Sequence, residues 1–164
     1  MKKPTGFEEG VLGGPTVPVH IFGAGDVEQI LGIESWRLQK FLSGRRYPLK
    51  PSGQIGKARQ GSRRLFRVED LYRLAIADFL VKDGFSPKFV CSVLDFIDDS
   101  DLLSFGEGGR KRPPVIGAFR GPEGPQFAYR SGRDKESPYY VLDLGQKVDE
   151  VDRRVHERSL TSSK

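Results

Sequence analysis

The chain has 164 residues, of which 37% are apolar and 30% charged, with 27 Lys and Arg against 22 Asp and Glu for a net charge of +5. That length holds one domain, or one small domain with an appendage, and the low apolar share supports a core for only part of the chain. A single cysteine, Cys91, and two scattered histidines, His20 and His156, exclude a disulfide framework and give no reason to expect a metal site or a cofactor.

No apolar run is long enough to span a membrane, and the opening MKKPTGFEEG lacks the apolar stretch of a signal peptide. The expectation is a soluble, cytoplasmic protein.

Residues 1–20 are rich in Gly and Pro without periodicity and read as a flexible N-terminal arm. GDVEQILGIESWRLQKFLSG then reads as two short helices. Asp26 is a candidate N-cap for the first, Val27, Ile30 and Leu31 form its apolar stripe, and Gly32 breaks it. Ile33 is an apolar plug, and a second helix starts near Glu34. Leu38, Phe41 and Leu42 are its expected buried residues, which leaves Ser35, Trp36, Arg37, Gln39 and Lys40 toward the open side. Two short helices about a glycine turn describe a helix-turn-helix.

From Arg45 to Arg64 the prolines and glycines forbid a helix, and a β-hairpin, or wing, is expected with its tip near GQIGKARQG. FRVEDLYRLAIADFLVKDG predicts a long helix with Leu71, Leu74, Ala75, Ala77 and Leu80 inward and Gly84 at its end. SPKFVCSVLDFI predicts another, with Ser86 as N-cap, Pro87 in the first turn, and Val90, Val93, Leu94 and Ile97 inward. Cys91 lies beside that stripe and reads as ordinary packing.

A polar joint follows, SFGEGGRKRPP. VIGAFR, QFAYR and YYVLDL predict three short strands, the first two joined around GPEGP. Their aromatics (Phe119, Phe127, Tyr129, Tyr139 and Tyr140) suit a small core or a dimer contact better than an effector pocket. LGQKVDEVDRRVHER predicts a C-terminal helix whose Leu144, Val148, Val151 and Val155 are spaced 4, 3, 4, as in a two-heptad seam. Such a stripe must pack on something: the chain's own β-rich segment, or the same helix of a second subunit. The seam reading makes the chain a homodimer, with Lys147, Glu150, Arg154 and Glu157 pairing across it. The expected organisation is mainly α with small β: an arm at 1–20, a winged helix-turn-helix domain at 21–99, a linker at 100–113, a β-rich segment at 114–144 and a dimerisation helix at 145–160.

Charge singles out one stretch. Between Trp36 and Arg67 lie ten Lys and Arg and no Asp or Glu, so the rest of the chain carries 17 basic against 22 acidic residues, net −5. Solvated faces usually mix signs, and so local an excess points to a polyanionic partner. On the second helix Arg37 suits bidentate pairing with guanine, and Gln39 suits adenine or a phosphate. Trp36 is open to two readings, as packing against a sugar or thymine methyl or as a core residue. Lys40, Arg45, Arg46, Lys57, Arg59, Arg63 and Arg64 suit phosphates, and with Ser35 they complete the candidate DNA-binding set.

The segment 22–97 resembles the DNA-binding domain of the MerR family. GDVEQILGI resembles its opening helix and turn, RLQKF stands where the family usually has Thr-Leu-Arg-Tyr-Tyr, and RLFRVEDL resembles Arg-x-Tyr-Ser-x-x-Asp-Leu, which aligns Arg64, Phe66, Asp70 and Leu71. DGFSPKFVCSVL resembles Gly-Phe-Ser-x-x-x-Ile-x-x-Leu. Gln39 replaces the usual phosphate-contacting Arg, the wing is longer than usual, and no cysteine cluster suggests metal sensing. The resemblance implies a transcriptional regulator that binds double-stranded DNA as a homodimer, nucleoid-associated in a bacterium or encoded by a phage, with any small-molecule effector unassigned.

Related winged folds also occur in excisionase-like and phage-packaging proteins, which bend or load DNA. RNA binding has less support, because aromatic stacking platforms are missing from the basic stretch. A dinucleotide-binding enzyme is suggested only by the Gly-x-Gly of VHIFGAGDVEQI, where Glu28 stands at the third glycine position and would face pyrophosphate. No catalytic constellation is present in the sequence, and the chain is not expected to be an enzyme.

Overall fold

The computed structural model describes residues 20–47, 49–55, 63–106, 115–130 and 136–161. The expected arm, apart from His20, lies outside them, as do the hairpin tip with Lys57 and Arg59 and the second half of the expected linker. The described residues form six helices and two small antiparallel sheets.

Helix α1 spans Ala24–Leu31 and begins earlier than expected, with Gly23 as its N-cap. Asp26 sits inside the first turn instead, where its Oδ2 accepts the Gly23 N–H at 2.8 Å. A carboxylate there satisfies an amide that the helix leaves orphaned and favours the positive end of the helix dipole. Gly32 closes α1 in the left-handed region at φ +63°, which permits an immediate turn. Ile33 plugs that turn, and α2 follows at Ser35–Leu42, burying Leu38 and Phe41.

Strands β1 (Gly53–Ile55) and β2 (Arg63–Leu65) pair antiparallel from Gly53 opposite Leu65 to Ile55 opposite Arg63. Two links fix this hairpin to the helices. Phe66, fully buried, exchanges both backbone hydrogen bonds with Phe22 at 2.9 Å, so the segment entering α1 lies alongside the exit of β2. The Asp70 carboxylate accepts from the Arg67 N–H at 2.9 Å and from the Ser52 N–H at 3.0 Å, tying both strands to the start of the next helix.

That helix, α3 (Val68–Lys82), is the centre of the molecule. It buries Leu71, Leu74, Ala77 and Leu80 as expected, and Tyr72, Ile76 and Asp78 besides, because α1, α4, α5 and α6 surround it. Helix α4 (Pro87–Phe96) is capped by Ser86, whose Oγ accepts the Phe89 N–H at 3.3 Å. A further helix, α5 (Asp99–Gly106), occupies what reads from sequence as the start of the linker. Leu102, fully buried, anchors it. Arg73 reinforces the junction, donating to the carbonyls of Leu94 and Ile97 at 2.8 and 2.7 Å and to Asp99 at 2.6 Å.

Strands β3 (Val115–Gly121), β4 (Gly124–Tyr129) and β5 (Tyr140–Asp143) form an antiparallel sheet in the order β4-β3-β5. Ile116, Ala118 and Leu142 are buried on one face. Phe127, Tyr129 and Tyr140 meet the aromatics at and before α4, with ring centroids 5.6 Å apart for Phe89–Phe127, 5.3 Å for Phe96–Tyr129 and 4.4 Å for Phe85–Tyr140. Burial, and then its hydrogen bond to Asp83, raises the Tyr140 phenol well above its ordinary pKa. These three rings therefore serve packing, as the sequence suggested.

Helix α6 (Leu144–Thr161) corrects the seam expectation. Leu144, Val148 and Val151 are 0–1% exposed and Val155 packs partly buried against them, all inside this chain. The stripe covers α5, α3 and α1 rather than a second subunit. Of its flanking charges, Glu150 pairs within the helix with Lys147 and Arg154 at 3.5 and 2.5 Å. One hydrophobic cluster runs from Val27 to Val151, so the segments expected as separate units share a core.

Candidate nucleic-acid interface

The phase of α2 decides what it displays. Leu38 and Phe41 face the core, which turns Ser35, Trp36, Gln39 and Lys40 outward on one exposed arc. Trp36 is 61% exposed, with its indole N–H donating to Glu34, so the reading of Trp36 as a core residue is set aside.

Behind α2, Arg45 and Arg46 project from a turn whose backbone is held at several points. Gly44 adopts φ +69°, Ser43 Oγ donates to the Lys40 carbonyl at 3.0 Å, and the Cys91 thiol of α4 donates to the Arg46 carbonyl at 3.1 Å. Tyr47 and Leu49 are buried just beyond, Tyr47 edge-on to Phe41 with centroids 5.1 Å apart. Burial, then the nearby Asp95, raises the Cys91 thiol above its ordinary pKa, which suits a packing group better than a nucleophile.

The hairpin faces α2 across a cleft. Arg63 is exposed, and half-buried Arg64 donates from Nη1 to Gln39 Oε1 at 2.7 Å, so helix and hairpin are joined by a side-chain bridge. The cleft holds about 650 Å³ and is lined by Gly23, Ala24, Asp26, Gln39, Arg63, Arg64 and Leu65. Lys50 and Arg67, which belong to the basic run without standing out in the sequence as site residues, are exposed nearby in the chain.

Arg37 departs from this set. Its Nε lies 2.6 Å from Asp78 Oδ1 in α3, and Lys82 meets the other oxygen of Asp78 at 2.6 Å. Asp78 is the one charged residue buried among the described residues, and a buried carboxylate without a counter-charge is expensive. Arg37 is therefore spent on the fold, which corrects its assignment to guanine. The remaining members differ: among the described residues Lys40, Arg45, Arg46 and Arg63 have no carboxylate partner.

No protein-family model matches this sequence, and no curated protein matches it. The site therefore has to be judged on its own chemistry. It offers hydrogen-bond donors and positive charge on two elements joined by the Arg64–Gln39 bridge. Among the described residues no three His, Cys, Asp or Glu side chains gather as metal ligands, and no helix is long and apolar enough to cross a membrane.

Proposed function

We propose that this chain is a sequence-specific, double-stranded DNA-binding transcriptional regulator of MerR-like type, in which α1, its glycine turn and α2 form a helix-turn-helix and the β1–β2 hairpin is the wing. The observation that carries the reading is the unspent charge of α2, the following turn and the hairpin, held in one arrangement by the Arg64–Gln39 bridge. An α-helix fits the major groove, where base edges carry a distinguishable donor and acceptor pattern. Gln39, Lys40, Ser35 and Trp36 are the side chains that α2 presents to it. Arg45, Arg46, Arg63 and Arg64 neutralise flanking phosphates, which fixes register without reading sequence. Arg37 supports α2 from behind.

A second reading keeps the DNA and changes the outcome of binding, making the chain an excisionase-like or phage-packaging protein that bends or loads DNA. It is favoured by the burial of the α6 stripe within the chain, which removes the expected two-fold seam. Both readings need duplex binding, and selection of bound duplexes from a random pool separates them. A regulator returns one recurrent motif. An architectural protein returns weakly related sequences sharing deformability, and loss of all enrichment over unselected DNA removes both.

A further inference from the structure

The cleft between α2 and the hairpin contains one charge of the wrong sign. Among the described residues lining it, Asp26 is the one acidic residue, beside Gln39, Arg63 and Arg64. A carboxylate there repels any phosphate that the two arginines attract. The structure gives this carboxylate two partners. Its Oδ2 accepts the Gly23 N–H at 2.8 Å, and its Oδ1 is paired with Arg158 Nη2 from α6, 132 residues away in the chain. The other terminal nitrogen of Arg158, Nη1, donates to Gln29 Oε1 of α1. Asp26 and Arg158 also border a second cavity of about 360 Å³.

We propose that Arg158 is a positioning residue of the DNA interface: it holds the Asp26 carboxylate toward α6, away from a phosphate drawn to Arg63 and Arg64. The proposal rests on the duplex-binding reading and adds to it a role for the C-terminal helix. Arg158 is not needed to keep α6 in place. Arg154, one turn earlier, donates to the carbonyls of Ile30 and Leu31 at 3.2 and 3.1 Å at the end of α1. Tyr72 of α3 donates to Asp152 at 2.5 Å, and the apolar stripe is buried beneath. Removing Arg158 thus leaves the helix seated and Asp26 uncompensated.

The test is a double-mutant cycle on the full chain, reading duplex affinity by fluorescence anisotropy at about 0.1 M salt, where charges within a Debye length still interact. Arg158→Gln is expected to weaken binding about five-fold, the effect of one charge brought about 4 Å from a phosphate across bulk water. Asp26→Asn keeps an acceptor for the Gly23 N–H and removes the charge, and on that background Arg158→Gln is expected to change affinity by less than about two-fold. Arg158→Lys restores most of the wild-type affinity, and thermal midpoints confirm that each variant is folded.

Equal losses from Arg158→Gln with and without Asp26→Asn would mean that Arg158 meets phosphate itself or acts through stability, and overturn the proposal. So would wild-type affinity in Arg158→Gln. A wild-type protein that binds no duplex overturns the functional reading itself, and this proposal with it.

Discussion

Helices α2 and α6 are both amphipathic and both rich in cations, yet they use their charge in opposite ways. In α6 the four cations are committed: Lys147 and Arg154 to Glu150, Arg153 to Glu157, and Arg158 to Asp26. In α2 and the turn behind it, Lys40, Arg45 and Arg46 have no such partner among the described residues, and only Arg37, on the inner arc, is paired. The comparison teaches that the number of positive charges does not mark a binding face. What marks it is cations left without a carboxylate partner among the described residues, which α2 and its turn retain and α6 lacks. A charge paired inside the protein has little left to offer a polyanion, whereas an unpaired one releases counterions when it meets a phosphate.

The two helices also differ in what their apolar sides cover, and the largest expected effect comes from exploiting this. Val148→Asp together with Val151→Asp would be harmless to the monomer if the stripe were a seam between subunits. With both residues buried in the chain's own core, each carboxylate costs on the order of 4 kcal/mol, which together exceeds the stability of many small domains. The double variant is expected to lose cooperative thermal unfolding by circular dichroism. A folded monomer with an unchanged midpoint would return α6 to the role of an intermolecular seam.

A smaller effect separates the two arcs of α2. Arg37→Ala leaves Asp78 buried with Lys82 alone and is expected to destabilise the fold by about 2 kcal/mol. Base preference in the selected DNA site should remain as in wild type at a temperature where the variant is folded. Relaxed preference at one base position, with stability unchanged, would restore Arg37 to the groove.

Much of this architecture was legible in the sequence. The apolar period of α1 through α4, the punctuation at Gly32, Gly84 and Ser86, and the short apolar and aromatic runs of β3 to β5 about GPEGP placed those elements correctly. The misses have physical causes. Helix α5 hides in a polar, Asp-rich stretch, with Leu102 as a fully buried anchor and Arg73, distant in sequence, securing its start. The period of α6 defined an apolar face without saying what would cover it, and the core of the same chain does so. Arg37 stands four residues before Phe41 and hence on the same face, so its inward position was readable from phase; its charge drew it to the open side instead. The pairing of Asp26 with Arg158 joins residues 132 apart in the sequence and left no local trace in it.

The central claim, that the face built by α2, the turn after it and the hairpin neutralises duplex phosphates, is tested most directly by the salt dependence of duplex affinity. About five phosphates met per bound chain predict a log–log slope near −4.5, and Arg64→Ala should weaken binding to every sequence and flatten that slope by about one unit. Charge removal from α6 at Arg153, which pairs with Glu157, should leave the slope unaltered. A wild-type slope near zero, or equal flattening by Arg64→Ala and Arg153→Ala, would contradict the account.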